Sequence, residues 1–505
     1  MGKGRQSRIQ KSVFTTLLMQ FTTLVCGLIV PRFLLNTYGS EAYGATTSIA
    51  QFLSYITLLE GGIGGVARAS LYRPLAEKNI NKISAIVYEL KHFFRIIALI
   101  SIGYAIVLAC VFKNISHIEC YSWTGSFFLV IAISVSTFGQ YFIGIAYSAL
   151  IQADQRVYII NLLSILTTAL NTIMVIFLIR AGSGLILLKL VSSIVFLIKP
   201  ILMWGYVRKK YNLIKVIERD KKALDQRWTG LGQHLAYYIH SNTDITILTL
   251  LANLKIVSVY SIYHMVTYNM QNVISALCSG MEPLFGDMIA RSQSKQLENT
   301  FSMYEVITSM ACTSFFSTVY IMILPFVSLY TKGINDINYY QPLFAALITT
   351  ASVLYCIRFP YQSVIVAAGH FKQTRLGAYG EAGINIFLSI LLVWKFGLVG
   401  IAIGTIAAIG FRLFYLVYYL SHNILYRGCT IFIKQSIINI SCIVIIYIVC
   451  NYFLSRININ SYTTWLISST FVFSFSTIIT IIVNYIINNK STKTIIVLLY
   501  NRFKK

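Results

Sequence analysis

Residues 58–71 read LLEGGIGGVARASL and close an apolar run that begins near Thr46. A carboxylate, four glycines and an arginine stand inside what is otherwise a membrane helix. Gly61, Gly62, Gly64 and Gly65 each weaken helix by about 1 kcal/mol relative to alanine and let another backbone come close. Broken helices of this kind line transport cavities. Glu60 and Arg68 are eight residues apart, about 12 Å of rise and roughly 80° of azimuth. Both therefore look into one cavity at different depths without pairing. The plainer reading is a helix that packs through glycine, with Arg68 at the membrane rim.

The rest of the chain supports a membrane setting. Of 505 residues 57% are apolar and 11% charged, too little charge for a soluble surface of this size. Lys3, Arg5, Arg8 and Lys11 precede an apolar run that continues past Val30 with no small-residue cleavage site, so a first transmembrane helix is expected, not a removed leader. Nine cysteines show no CxxC and no paired spacing, which indicates neither a metal site nor a disulfide framework. The net charge of +25 sits in short clusters between apolar runs, a pattern that orients membrane proteins and does not point to nucleic acid.

A hydrocarbon core of about 30 Å takes roughly 20 helical residues. Runs of that size lie near 12–36, 43–69, 90–112, 125–152, 157–179, 184–206, 230–252, 256–288, 302–330, 340–368, 374–394, 398–421, 431–454 and 461–487, fourteen in all. No period-2 alternation is sustained, which argues against a β-barrel. With the N-terminus inside, cytoplasmic segments carry 28 Lys and Arg and the opposite connections seven, among them Arg32. Both termini are expected in the cytoplasm. The basic stretch 206–228 reads as a helix on the inner leaflet, where it orients the chain or binds anionic lipid headgroups.

Segments repeat at an offset of about 215 residues: YSALIQADQRVYIINLLS (147–164) resembles YQSVIVAAGHFKQTRLGA (361–378), and Asn171 falls opposite Asn385. Six spans per unit give parallel halves, a transporter habit. The expected fold is all-α and polytopic. An N-terminal lobe covers 1–205, the linker helix 206–228 and a C-terminal lobe 229–421, with two further spans and a basic tail in 422–505.

Charges left inside spans cost about 2.5–3.5 kcal/mol each at the bilayer centre and should face a cavity or a partner. Lys91, Arg95, Asp287, Glu305 and Glu381 lie near cytoplasmic ends and are expected to snorkel. Arg358 is deeper, beside Pro360, and is read either as a pathway residue or as a structural one. Asp244 stands mid-span among His240, Ser241, Asn242 and Thr243, a polar face that suits a cavity lining. No P-loop, HExxH or GxSxG is present. Transport without a nucleotide site draws on a gradient or on consumption of the product.

The order PRFLLNTYGSEAYG, LLEGGIGGVARASLYRPLAEKN and IHSNTDITILTLLANLKIVSVYSIYHM resembles the polysaccharide-flippase branch of the multidrug/oligosaccharidyl-lipid/polysaccharide exporter superfamily. The resemblance covers nearly the whole chain. It implies a V-shaped pair of six-helix lobes around a cationic cavity. The substrate it implies is undecaprenyl-diphosphate-linked oligosaccharide, moved outward across the bacterial inner membrane. It further implies Arg32 and Arg68 as diphosphate contacts and Asp244 as an ion-coupling carboxylate; Glu60 and Arg358 are expected to join them as cavity residues from their own places in spans 2 and 10. No cofactor is implied beyond coupling to Na+, H+ or the membrane potential. The implied partners are membrane lipids, the lipid-linked oligosaccharide, a polysaccharide polymerase and chain-length proteins, with no nucleic acid. The similar lipid II flippases carry a basic pair before the Glu-Gly of span 2, where this chain has Tyr55 and Ile56. A cation-coupled drug antiporter of the same superfamily is the first alternative, and a membrane-embedded polysaccharide polymerase the second.

Overall fold

In lipid every backbone polar group must be satisfied within its own segment, so apolar runs of 20 residues become helices. A computed structural model describes residues 3–60, 63–214, 231–278 and 280–487, and the described residues form seventeen α-helices. These are α1 (Lys3–Ser54), α2 (Ile63–Ala76), α3 (Ile80–Ser116), α4 (Trp123–Gly139), α5 (Ile145–Ala153), α6 (Val157–Arg180), α7 (Leu185–Tyr211), α8 (Leu231–Leu251) and α9 (Leu254–Cys278). They continue with α10 (Met281–Ala290), α11 (Ser294–Tyr330), α12 (Pro342–Ile357), α13 (Phe359–Ala367), α14 (Phe371–Phe396), α15 (Leu398–Asn423), α16 (Thr430–Leu454) and α17 (Tyr462–Ile487). Among the described residues twelve helical segments are long and apolar enough to cross a membrane. One of them, Gln10–Glu60, holds spans 1 and 2 joined at Gly39, whose φ of 82° only glycine adopts without strain. α8 stands where span 7 is expected, so each of the fourteen spans has its helix.

The chain divides into two compact units, 1–238 with 253–258, and 239–252 with 259–505. Spans 13 and 14 (α16 and α17) belong to the second unit and pack on α11. The first six residues of the expected linker helix continue span 6 to Tyr211. Its residues 215–228 lie outside the described residues.

Both units use one packing scheme. In the first, α6 packs on α7 and α3 on α4; in the second, α14 packs on α15 and α11 on α12. Four spans are broken at matching places. Span 2 passes through a 3₁₀ turn at Tyr55–Glu60 before α2, and span 4 through a π-helical turn at Gln140–Gly144. Span 8 breaks between α9 and α10, and span 10 at Arg358 between α12 and α13. The short half-helices then pair, α2 with α5 and α10 with α13. The 215-residue repeat in the sequence is therefore also a repeat of helix breaks.

Lipid supplies no hydrophobic drive for helices to associate, so close fit decides the packing. Gly404 of α15 lies so near α14 that a Cβ there would stand 2.6 Å from Ser389 Oγ and 2.9 Å from Ser389 N. A side chain at Gly44 would run into the backbone of Leu254. The glycines of the opening stretch behave otherwise, which corrects the expectation of packing at Gly64 and Gly65. A Cβ on Gly64 meets only Arg68 Nη1 at 3.9 Å, and one on Gly65 meets nothing within 4 Å. Among the described residues no second backbone comes near them, because α2 packs through Ile63, Ala67 and Leu71 instead. Gly61 and Gly62 lie outside the described residues.

Candidate functional site

The first unit contains a cavity of about 510 Å³. Its walls come from span 2, span 4 on either side of the π-helical turn, α6 and α7. The opening is local chemistry. A π turn widens the helix and is a frequent mark of functional sites, and Pro200 of α7 has no N–H to give the Phe196 carbonyl. Gly139 and Gly144 let span 4 seat on α7, where a Cβ would strike Leu197 and meet Pro200 Cβ at 3.2 Å respectively. Eight lining residues are serine or threonine, joined by Gln140, Tyr141, Glu60 and Lys199. Hydroxyls such as Ser136, Ser164 and Thr167 donate to carbonyls of their own helices and keep lone pairs for a ligand's donors.

Of the residues read from the sequence, Glu60 lines this cavity and accepts a hydrogen bond from the Tyr141 hydroxyl. Arg68 does not line it. Its Nη1 donates to Gln152 Oε1 at 3.0 Å, and Gln152 Nε2 donates to Ser148 Oγ at 2.9 Å, a residue of the cavity wall. Arg68 thus reaches the cavity only through two intermediates. Arg32 is far from both. Arg8, at the other end of the same helix, bonds Asp154 (3.3 Å), two residues from Gln152. Arg32 lies 24 residues further along α1, about 36 Å of rise. This corrects the expectation that Arg32 and Arg68 grip one diphosphate: they stand at opposite ends of the unit. Lys199, which carried no role in the sequence reading, lines the cavity. Only the helix breaks, Pro200 among them, hinted at its position.

The second unit gathers Asp244 with residues from three other helices. Asp244 Oδ2 accepts from the Tyr260 hydroxyl at 2.9 Å and from Thr405 Oγ1 at 3.2 Å. Asn385 Nδ2 donates to Thr405 Oγ1 at 3.2 Å, while Asn385 Oδ1 accepts from Thr243 at 2.7 Å. Among the described residues Asp244 Oδ1 and Ser389 Oγ are buried with no hydrogen-bond partner. His240 and Ser241 have no described side chains. The sequence singled out Asp244, and matched Asn385 to Asn171 by the repeat, but gave no sign that Tyr260, Ser389 and Thr405 would converge here.

Arg358 is 4% exposed, with Nη1 2.7 Å from Glu381 Oε1. Arg412 Nε stands 3.7 Å from Glu381 Oε2 and its Nη1 donates to the Thr374 carbonyl at 2.8 Å. Read from its depth beside Pro360 as a pathway or a structural residue, Arg358 is part of a buried ion triad, because the break of span 10 turns it toward span 11. Glu381 (6% exposed) and Glu305 (7%) do not snorkel. Glu305 accepts from Arg427 Nη2 at 2.8 Å and from the Tyr361 hydroxyl. Asp287 does reach the surface, beside Arg291 at 2.9 Å, and Lys91 and Arg95 lie over the rings of Tyr147 and Phe142.

No family model and no curated protein sequence matches the chain. Solved structures do. The lipid II flippase MurJ in an inward closed conformation aligns with a TM-score of 0.69 at 14% identity, over 94% of this chain and 99% of that one. The chain shares its fold with this protein and with two transporters. An inward-facing multidrug resistance MATE transporter of the MOP superfamily aligns at a TM-score of 0.59 and 13% identity, over 79% of this chain and 95% of its own. A Pyrococcus furiosus MOP transporter described as having a binding pocket of reverse polarity aligns at 0.57 and 12%, over 85% and 98%. At such identities the likeness is one of fold, and together with the long apolar helices it supports a multi-pass membrane protein.

Proposed function

We propose that the chain is a flippase that carries undecaprenyl-diphosphate-linked oligosaccharide from the cytoplasmic to the outer leaflet of the bacterial inner membrane by alternating access. The observation that carries this reading is the hydroxyl-rich cavity of the first unit. Eight serines and threonines with a glutamine offer a polyhydroxylated, anionic headgroup what a lipophilic cation does not need. A drug-cation cavity wants aromatic faces and unopposed acids, whereas here the one acid, Glu60, is bonded to Tyr141 and shares the wall with Lys199. The basic termini and the linker are cytoplasmic in this reading. Released product passes to a polymerase and its chain-length partners.

Coupling belongs to the second unit. Asp244 Oδ1 is an acceptor without a donor, and a carboxylate so placed takes a proton or a cation. Asp244, Asn385 Oδ1, Ser389 and Thr405 are all oxygen donors, the set a hard cation prefers. Na+ or H+ entering there biases the equilibrium between conformations, since a bound ion shifts it only as far as it binds one state better.

The test is proteoliposomes loaded asymmetrically with a short-chain prenyl-diphosphate disaccharide, with a lipophilic dye cation as the competing cargo. Protein-dependent movement of the glycolipid is expected. Movement of the dye alone would give the protein to the drug antiporters.

A further inference from the structure

We infer that Lys199, not Arg68, is the direct contact for the phosphate-bearing headgroup of the lipid cargo in the first unit. The inference rests on the proposed function for the nature of the cargo, and on the cavity for the residue.

Lys199 lies 14 residues from the start of α7 and 12 from its end, roughly 20 Å from either. α7 runs past the expected end of span 6 at 206, which leaves Lys199 seven residues, about 10 Å, inside the span; its side chain lines the cavity there. An intramembrane cation therefore needs a counter-charge or a wet cavity. Among the described residues no carboxylate lies within ion-pair distance of Lys199. The acid in the same wall, Glu60, is held by Tyr141. What Lys199 does have is the 510 Å³ cavity, shared with Gln140, Ser148 and Thr168.

The backbone is built around that position. Gly139 and Gly144 fit span 4 against Leu197 and Pro200, two residues before and one after Lys199 in α7. The π turn of span 4 and the proline of α7 thus fall at one level, and irregular helix at membrane depth is tolerated where it lines a cavity. An ammonium with no carboxylate partner among the described residues, an amide and hydroxyls make an anion site in which lysine acts as a point charge on phosphate. Arg68 is engaged by Gln152 at 3.0 Å and acts on the cavity through it. Lys199 also repels cationic cargo, which gives the cavity its selectivity by sign.

The experiment measures binding to the full chain in nanodiscs with farnesyl diphosphate, farnesol and inorganic pyrophosphate as probes. Wild type is expected to hold farnesyl diphosphate more tightly than either of the others. Lys199→Gln should weaken the diphosphate at least about tenfold while leaving farnesol unchanged, the loss expected for one charge-assisted hydrogen bond. Lys199→Arg should stay within about threefold of wild type, which separates lost charge from lost fold. Arg68→Gln should lose less than Lys199→Gln, and Glu60→Gln should bind the diphosphate more tightly than wild type. Equal diphosphate binding by wild type and Lys199→Gln overturns the assignment to Lys199 while leaving the flippase reading intact. A wild type that binds pyrophosphate as tightly as farnesyl diphosphate makes free phosphate the ligand and overturns the lipid part. A wild type that binds neither phosphate probe overturns the flippase reading itself.

Discussion

Glu381→Gln tests whether the buried charges of the second unit hold the fold or carry the cargo. Glu381 stands 2.7 Å from Arg358 and 3.7 Å from Arg412, with side chains 8%, 5% and 14% exposed. At an effective dielectric of about 20 these distances correspond to roughly 6 and 4.5 kcal/mol of gross attraction. Desolvation offsets most of that while the triad is intact. Removing the carboxylate leaves the offset without the attraction, with two guanidinium groups buried beside an amide. Breaking a buried pair in this way costs about 3–5 kcal/mol. Glu381→Gln should therefore unfold earlier in denaturant titrations in micelles and be scarce in membranes. Arg358→Met should recover much of the loss in the double variant, because Arg412 keeps its bond to the Thr374 carbonyl. Transport per folded molecule should stay near wild type in the double variant. A Glu381→Gln protein of normal stability and abundance that transports nothing would refute the reasoning and return Arg358 to the pathway.

Asp244→Asn keeps size but not charge, and is expected to abolish the dependence of transport on sodium or pH gradients in proteoliposomes while abundance holds. Normal gradient dependence in that variant would make Asp244 a packing residue. Gly404→Leu should fail by low membrane abundance, since the added atoms meet Ser389, whereas Gly65→Leu should be tolerated because nothing lies within 4 Å; immunoblots of membrane fractions distinguish the two. Reporter fusions after Lys82 and Lys493 should signal cytoplasm and those after Lys113 and Asp336 the outside, and reversal at two or more sites would discard the orientation. A diphosphate of about two negative charges leaving a negative interior gains roughly 4.6 kcal/mol per 100 mV, so collapsing the potential in energised vesicles should slow export of abundant substrate.

The sequence by itself determined the number of spans, their duplication and the helical class. Those depend on hydropathy summed over some 20 residues and on backbone satisfaction in lipid, both one-dimensional properties. It also marked span 2 as broken and Asp244 as out of place, because glycine runs and a mid-span carboxylate are costly wherever they pack. What those groups face was beyond it. Glu305, Glu381 and Arg358 look alike in sequence to snorkelling or pathway charges, and only the packing of distant helices pairs Glu305 with Arg427 and Glu381 with Arg358. Arg32 and Arg68 fall on opposite sides of the membrane already in the charge count, and the structure adds that Arg68 is engaged by Gln152. Lys199, a basic residue left within span 6, was given no role for the complementary reason. Its significance is an absence of counter-charge around a cavity, and that space exists only once spans 2 and 4, α6 and α7 have packed around a π turn and a proline.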